Sequence, residues 1–466
     1  MNPSPSQASS TDFNSLPLSP AILTTLTQLG YNTMTPIQAA GLPPALAGTD
    51  LIAQAETGSG KTAVFGLTLL TNLNPRRFAV QALVLCPTRE LADQVAVNLR
   101  LLARGMENIK ILTLCGGVGL RGQKDSLAHG AHIVVGTPGR IMDHLQREIL
   151  KLDALNTFVL DEADKMLDMG FVDDMVRIAD QCPKDRQTLL FSATFPEGIE
   201  KIARQFLKSP QRIRVEPQMT RSQIDQRFYE VTDETRFQVL GKLLNHFRPI
   251  STVVFCNTKI QCHDAVLALQ AQGFSALEIS GDLEQRDRDD VLARFSGRGC
   301  SVLVATDVAS RGLDITQLEA VINLDITPDP EVHTHRIGRT GRAGETGLAL
   351  SLAGPREKSF VRRIEEFQKE KVNWYPVEEL TPASSEPLLP PMTILQILGG
   401  KKEKIRPADV LGALTADLGY TREQVGKIKV TDFCTYVSLE RSVAKKACER
   451  LGKTQMKGKP VRVRII

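Results

Sequence analysis

Seven short apolar runs spaced along the chain limit its architecture more than any other feature. "ALVLC" (82–86), "IVV" (133–135), "TFVL" (157–160) and "TLLF" (188–191) are followed by "TVVF" (252–255), "SVLVA" (301–305) and "AVINL" (320–324). Each is apolar at consecutive rather than alternate positions, as a strand is when both of its faces are buried. Helix-like segments lie between them, so the pattern predicts parallel α/β sheets. The series pauses at "KSPQRIRVEPQMTRSQ" (208–223), which contains proline and lacks a helical period, and a domain junction is placed there. It stops at "VNWYPVEELTPASSEPLLPPM" (372–392), where prolines at 376, 382, 387, 390 and 391 suit an extended linker.

These breaks divide the chain into a tail (1–10), an α/β domain (11–207), a junction (208–223), a second α/β domain (224–371), the linker (372–392) and a last module (393–466). In that module the expected order is strand (393–398), helix (406–418), strand (425–430), strand (434–439), helix (442–451) and strand (461–466). A βαββαβ order of this size suits a small RNA-binding sheet domain. Charge separates it from the rest: Gly399 to Ile466 hold 16 Lys and Arg against 7 Asp and Glu, a net +9. Out of an overall +4, the preceding 398 residues are left with −5. A basic appendage on a mildly acidic body points to a polyanionic partner.

With 466 residues, 42% of them hydrophobic and 24% charged, two or three soluble globular domains are expected. No apolar run approaches the roughly 18–20 residues that cross a bilayer. The opening "MNPSPSQASSTDF" has neither the basic start nor the apolar core of a signal peptide, and reads as a short disordered tail. The eight cysteines form no C-x-x-C pair, and several sit in apolar runs, so buried free thiols in a reducing compartment are expected. The reading is of a cytoplasmic protein, monomeric and without membrane association.

Chemistry concentrates first at "AETGSGKT" (55–62), between the apolar "DLIAQ" and the helical "AVFGLTLL". A strand, a glycine-rich turn and a helix start form a phosphate loop. Gly58 and Gly60 let backbone N–H groups turn towards phosphate, Lys61 brings charge to the β and γ phosphates, and Thr62 offers Mg²⁺ a hydroxyl. Ala55 stands where the general pattern has glycine. "VLDEADKMLDMGF" (159–171) supplies the matching acids after a buried strand. Asp161 is expected to hold Mg²⁺, partly through water, from the end of a neighbouring strand, and Glu162 to hold the attacking water. In "HRIGRTGRAGETG" (335–347), Arg336, Arg339 and Arg342 offer positive charge, the latter two on one face if a helix carries them. They fit arginine fingers acting on domain closure, a phosphate clamp for nucleic acid, or a solvated face.

Eleven motifs in a fixed order give these signals a family. "TMTPIQ", "AETGSGKT", "PTREL", "GG" (116–117), "TPGR", "DEAD", "SAT", "VFCNT", "QRDR", "ATDVASRGLD" and "HRIGRTGR" resemble the DEAD-box RNA helicases over roughly residues 13–355. The resemblance implies two tandem RecA-like domains, ATP and Mg²⁺ as cofactors, and RNA-stimulated hydrolysis. Alanine at 55 is common in the family. Gln38 is then implied to read adenine, with Phe13 and Tyr31 packing on the base. Glu56, Thr57, Gly58, Ser59, Gly60, Lys61 and Thr62 are implied to surround the phosphates, and Gly312 and Asp314 to meet the ribose. Arg339 and Arg342 match the paired fingers. Ser192 and Thr194, with His335, fall to coupling, the two hydroxyls being expected to bond Asp164. RNA contacts are implied for Pro87, Thr88, Arg89, Gly117, Thr137, Gly139 and Arg140, and for Asn257, Arg288, Thr306 and Arg311.

The last module resembles the C-terminal, RRM-like domain of DbpA-type bacterial members of this family, carried by "ILQILGGKKEKIRPADVLGAL" (394–414), "GKIKVTDFCTYVSL" (426–439) and "KGKPVRVRII" (457–466). That implies recognition of a hairpin of 23S-type ribosomal RNA, and so work on pre-50S particles during large-subunit assembly. The third strand offers Phe433 and Tyr436 but not the full aromatic set of a base-stacking sheet. The contacts are therefore placed on Lys401, Lys402, Lys404, Arg406, Lys427, Lys429, Lys445 and Lys446. The expected function is local, ATP-dependent unwinding of short RNA duplexes. An ATP-gated RNA clamp and a general helicase of mRNA turnover or cold response are the alternatives.

Overall fold

The computed structural model describes residues 11–55, 58–195, 197–215, 224–310, 318–341, 346–456 and 459–466. The chain falls into two compact units. The first is built on strands β1 (Leu51–Gln54), β2 (Ala82–Leu85), β3 (Ile111–Leu114), β4 (Ile133–Gly136), β5 (Thr157–Leu160), β6 (Gln187–Ser192) and β7 (Gln211–Arg214). They form one sheet in the order β3-β4-β2-β5-β6-β1-β7, and all its pairings are parallel. Strands β2, β4, β5 and β6 are buried at every residue, which accounts for their unbroken apolar sequences. Neighbours along a strand point to opposite faces. Val84 and Val159 therefore join the core around Phe65 and Leu99, while Leu83 and Phe158 join the one around Met175 and Ile199.

Strand β7 lies inside the stretch where the sequence suggests a junction. It is an edge strand beside β1, with Ile213 buried between exposed Arg212 and Arg214. A strand buried on one face shows no continuous apolar run, while β3 is buried only at its two end residues, Ile111 and Leu114.

The second unit repeats the plan with β8 (Ile224–Glu230), β9 (Thr252–Cys256), β10 (Ala276–Ile279), β11 (Val302–Thr306), β12 (Ala320–Asn323), β13 (Gly347–Ala353) and β14 (Trp374–Tyr375). Their order is β10-β11-β9-β12-β13-β8-β14, again all parallel. The two residues of β14 belong to the proline-bearing stretch and pair with Phe228 and Tyr229 of β8. Helix Pro330–Ile337 buries His333 completely, 5.9 Å from the Phe228 ring, with no partner for either ring nitrogen among the described residues. Burial, with Arg336 adding to it, pushes this imidazole down to about 3. The unfolded chain therefore takes up the proton first, near 6.5. The stability held above that pH is expected to fall by up to about 1.4 kcal/mol per pH unit as pH drops towards 3. Urea unfolding at several pH values checks this, and His333→Leu should flatten the profile.

The same unit carries a third sheet, formed by β15 (Met392–Leu398), β16 (Val425–Val430), β17 (Cys434–Glu440) and, after the short pair β18 (Gln455–Met456) and β19 (Lys459–Pro460), β20 (Arg462–Ile465). It is antiparallel in the order β16-β17-β15-β20. Helices Pro407–Gly412, continued by a π turn over Ala413–Asp417, and Arg441–Leu451 cover the face that presents Leu395, Ile397, Val437 and Leu439. The other face is covered too. Gln396 Nε2 donates to Asp290 Oδ1 at 3.0 Å, and the Tyr436 hydroxyl donates to the same carboxylate. Asp290 belongs to helix Gln285–Ser296, whose Ala293 packs with Ile394, Cys434 and Tyr436. The eight cysteines are free and seven are buried, and burial raises Cys115 and Cys182 to about 12, where a thiolate is scarce.

Candidate functional site

The glycine-rich turn joins β1 to helix Lys61–Thr71. Gly60 caps that helix at φ +100°, and a β-carbon there would lie 2.5 Å from Gln38 Nε2. Only glycine accommodates both the backbone and the approach. Gln38 is buried, its Oε1 accepting from Thr35 N at 2.9 Å and its Nε2 donating to Gly60 O at 3.3 Å. Thr35 Oγ1 donates to Ser59 O at 2.8 Å. The glutamine expected to read a base is thus also bonded to the phosphate loop. Phe13 is buried and meets Tyr31, which is 37% exposed, edge to face at 6.2 Å. Lys61 is buried and its Nζ donates to Ala55 O at 2.9 Å; Thr62 is half-buried beside it and Gly58 exposed. Glu56 and Thr57 lie outside the described residues.

Asp161 follows β5, which is separated from β1 by β6 rather than adjacent to it. Order in the sheet is decided by crossovers, which a linear pattern does not display. Asp161 is buried and its Oδ1 has no hydrogen-bond partner among the described residues. Burial pushes this carboxyl up to about 6 against the pull of Lys61, the strongest lowering influence on it. Glu162 adopts a left-handed backbone (φ 52°, ψ 52°) as N-cap of helix Ala163–Asp168, and its Oε2 pairs with Lys165 Nζ at 2.7 Å. Strained backbone at a non-glycine residue collects at functional positions.

Asp164 Oδ2 accepts from Ala193 N at 3.1 Å, Thr194 N at 2.9 Å and Thr194 Oγ1 at 3.1 Å. The "DEAD" helix is thereby bonded to the "SAT" turn after β6. Ser192 is not part of that bond, contrary to expectation; its hydroxyl donates to Thr194 O at 2.6 Å and shapes the turn.

Three further loops of this unit sit at carboxyl ends of strands. Thr88 caps helix Arg89–Leu102 behind buried Pro87. The Arg89 guanidinium lies against Gly117, where a β-carbon would overlap it at φ +77°. Thr137 precedes helix Pro138–Gln146 and Gly139 is exposed. Arg140 Nη1 donates to Gln123 Oε1 at 2.8 Å and to Val118 O at 3.1 Å. "PTREL", "GG" and "TPGR" thus share one rim.

In the second unit Arg336 is 2% exposed and cannot serve as a solvent-facing finger. It forks onto Asp307 with two contacts of 2.7 Å, and donates to Asn257 Oδ1 at 2.9 Å and Asp325 O at 2.8 Å. Asn257 Nδ2 in turn donates to Ile326 O at 3.1 Å. Helix Pro330–Ile337 ends before Arg339, with Gly338 as C-cap, so the helical spacing argument for Arg339 and Arg342 does not apply. Arg339 is half-buried and His335 exposed. Arg288 Nη2 donates to Ala309 O at 2.8 Å, and Thr306 Oγ1 accepts from Ala309 N at 3.4 Å. Arg311, Gly312, Asp314 and Arg342 lie outside the described residues. Sequence reasoning missed Asp307, though "ATDVASRGLD" contains it, and Arg236, which pairs with Asp325 at 3.1 Å and Glu357 at 2.6 Å and has no motif to announce it.

On the module, Lys401, Lys402, Lys404, Arg406, Lys427, Lys445 and Lys446 are exposed. Lys402 Nζ lies 4.0 Å over the ring of Phe433, which is 62% exposed in the turn before β17. Lys429 is half-buried and turned towards the lobe, 3.9 Å from Asp289. Tyr436 is 4% exposed, so the sheet face that stacks bases in an ordinary RNA-recognition domain is closed by helix Gln285–Ser296.

A phosphate loop, a buried lysine and adjacent acids at the strand ends of one parallel sheet, followed by a second such sheet, define a two-lobed RecA-like nucleotide hydrolase. Residues 35–202 match the DEAD/DEAH box helicase family, 235–344 the helicase conserved C-terminal domain and 394–465 the DbpA RNA binding domain. The chain belongs to the DEAD-box ATP-dependent RNA helicases and carries a DbpA-type RNA-binding domain. It is 52% identical over 454 residues, 96% of this chain and 98% of the relative, to the ATP-dependent RNA helicase DbpA of Escherichia coli (strain K12). It is 45% identical over 363 residues, 78% of this chain and 70% of the relative, to the helicase CshA of Listeria monocytogenes. Among solved structures, Saccharomyces cerevisiae Dbp5 bound to RNA and ADP BeF3 superposes with a TM-score of 0.71 at 31% identity, covering 79% of this chain and 97% of that one.

Proposed function

We propose that this ATP-dependent RNA helicase opens short duplexes locally on 23S-type ribosomal RNA during assembly of the large (50S) subunit, as a cytoplasmic monomer. The observation that carries the targeting is the C-terminal module, matched over 394–465 and holding a net +9. Among the described residues no helix is long and apolar enough to cross a membrane.

The residues divide the work by chemistry. Amides of the loop around Gly58 and Gly60 face the phosphates and Lys61 neutralises their charge. Gln38 fixes the base, with Phe13 and Tyr31 beside it, and Gly312 and Asp314 the ribose. Mg²⁺ fits the donors present: among the described residues Asp161 keeps a buried oxygen without a partner, Thr62 stands by Lys61, and no cluster of three metal-binding side chains occurs. This suits an ion held mainly by one carboxylate, water and substrate phosphates, where it would offset charge on the β and γ oxygens. Glu162 positions the water and takes its proton, and Arg339 and Arg342 stabilise charge at the γ-phosphoryl. Asp164 carries the change in nucleotide state to the 192–194 turn. Arg89, Gly117, Thr137 and Arg140 grip the RNA backbone without reading sequence, as do Asn257, Arg288 and Thr306.

The test is ATPase stimulation by a panel of RNAs at matched salt. Deleting 393–466 should abolish the preference for ribosomal RNA while leaving weak, salt-sensitive stimulation by any RNA. An unchanged preference would return recognition to the two lobes. Strand displacement on a tailed short duplex distinguishes unwinding from clamping.

A further inference from the structure

A cleft of about 500 Å³ opens where the second lobe, the proline-bearing stretch and the C-terminal module meet. Three cations line it: Arg294 from helix Gln285–Ser296 of the lobe, and Arg441 and Lys445 from helix Arg441–Leu451 of the module. Among the described residues no Asp or Glu lines it. None of the three cations has an ion pair or a side-chain hydrogen bond among the described residues, and Arg294 Nε is shielded from solvent without any acceptor there. The Ile466 carboxylate, which also borders the cleft, pairs with none of them. Ser275 and Thr393 add hydroxyl donors along the same wall.

Three other arginines of this unit are satisfied. Arg336, Arg236 and Arg227 each face a carboxylate at 3.1 Å or less. Three cations gathered in one concavity against a single carboxylate, that of Ile466, leave it net positive, and a buried guanidinium N–H without an acceptor among the described residues favours any anion that supplies one. Arginine forks suit phosphate oxygens in particular.

The geometry points to a binding site for the sugar–phosphate backbone of a single-stranded RNA segment flanking the element held by the module. Arg294 of the lobe and Arg441 and Lys445 of the module would share adjacent phosphates. Two observations favour RNA as the occupant. The module is an RNA-binding domain whose sheet face is already closed by helix Gln285–Ser296, so its RNA must use other surfaces, and helix Arg441–Leu451 presents Lys445 to the cleft. Helix Gln285–Ser296, which brings Arg294 to the cleft, also carries Arg288, assigned above to the RNA path. RNA in the cleft would bridge lobe and module, and so tie the module's grip to the lobe. The inference rests on the module binding RNA, not on which RNA it prefers.

The test uses the full chain and two fluorescent RNAs, a hairpin bound by the module and the same hairpin with a single-stranded flank of about ten nucleotides. Anisotropy titrations across a salt series compare wild type with Arg294→Gln and Arg441→Gln, singly and combined. The double variant Arg294→Gln/Arg441→Gln should bind the flanked RNA at least about tenfold more weakly, with a salt slope shallower by about one to two, and the bare hairpin as wild type does. Unchanged affinity and slope for the flanked RNA overturn the site. Equal losses on both RNAs overturn it as well, because the cations would then serve the hairpin. If the wild-type chain binds neither RNA, the reading of the module itself fails. An unchanged thermal midpoint shows that the variants fold, and the single Arg441→Gln, on an exposed residue, provides a second measure of the slope.

Discussion

Lys61→Ala is expected to lower RNA-stimulated ATP hydrolysis by on the order of 10³-fold while leaving module-dependent RNA binding intact. The lysine is the first residue of its helix and is buried, with Nζ held by Ala55 O at 2.9 Å, so its charge is aimed before any nucleotide arrives. Alanine removes the cation proposed to balance the β and γ phosphates. It also removes the strongest influence lowering the pKa of Asp161, already raised to about 6 by burial. With that influence gone, a larger fraction of Asp161 is protonated near neutral pH, and a protonated carboxyl is a poor ligand for a hard cation. Steady-state ATPase rates and RNA anisotropy on the same preparation check both halves. Loss of RNA binding together with hydrolysis would show that the lobes and the module do not work separately.

The parts of this molecule legible in its sequence are those whose physics is local. Central strands announce themselves because burial on both faces demands consecutive apolar residues, as in β2 and β5. The phosphate loop is visible because a left-handed Gly60 and a lysine that opens a helix must be sequence neighbours. Partners brought together by the fold are not visible in this way. Asp161 and Lys61 are separated in the sheet by β6, and Arg336 reaches Asp307 from 29 residues away. Nothing near Tyr436 signals that its hydroxyl ends on Asp290, since that contact spans 146 residues and joins two sheets of unrelated design. Edge strands fail for another reason: half-exposed β7 mixes charged and apolar residues and resembles a loop, and β14 is only two residues long. Family resemblance assigns roles to single residues, whereas bonding partners such as Thr194 O for Ser192 required coordinates.

Glu162→Gln separates nucleotide binding from chemistry more cleanly than any other substitution in the site. Glutamine is nearly isosteric, so the left-handed backbone at φ 52° and the start of helix Ala163–Asp168 should survive. That conformation costs about 1–3 kcal/mol in a residue with a β-carbon, and the ion pair to Lys165 at 2.7 Å helps to hold the side chain in place. What the amide loses is the capacity to accept a proton and the negative charge, the two properties on which the role proposed for Glu162 depends. Proton transfer by a positioned side chain contributes about 10²–10⁴-fold, and turnover should fall within that range. Binding of ATP and RNA should persist, because Lys61, Gln38 and the loop amides are untouched. The variant is therefore expected to accumulate an ATP-bound, RNA-bound complex that dissociates slowly. Single-turnover hydrolysis with radiolabelled ATP measures the chemical step, and RNA dissociation in excess ATP measures the trapped state. A chemical step at the wild-type rate would remove Glu162 from its assigned place and move the search for the base to another acceptor near Asp161.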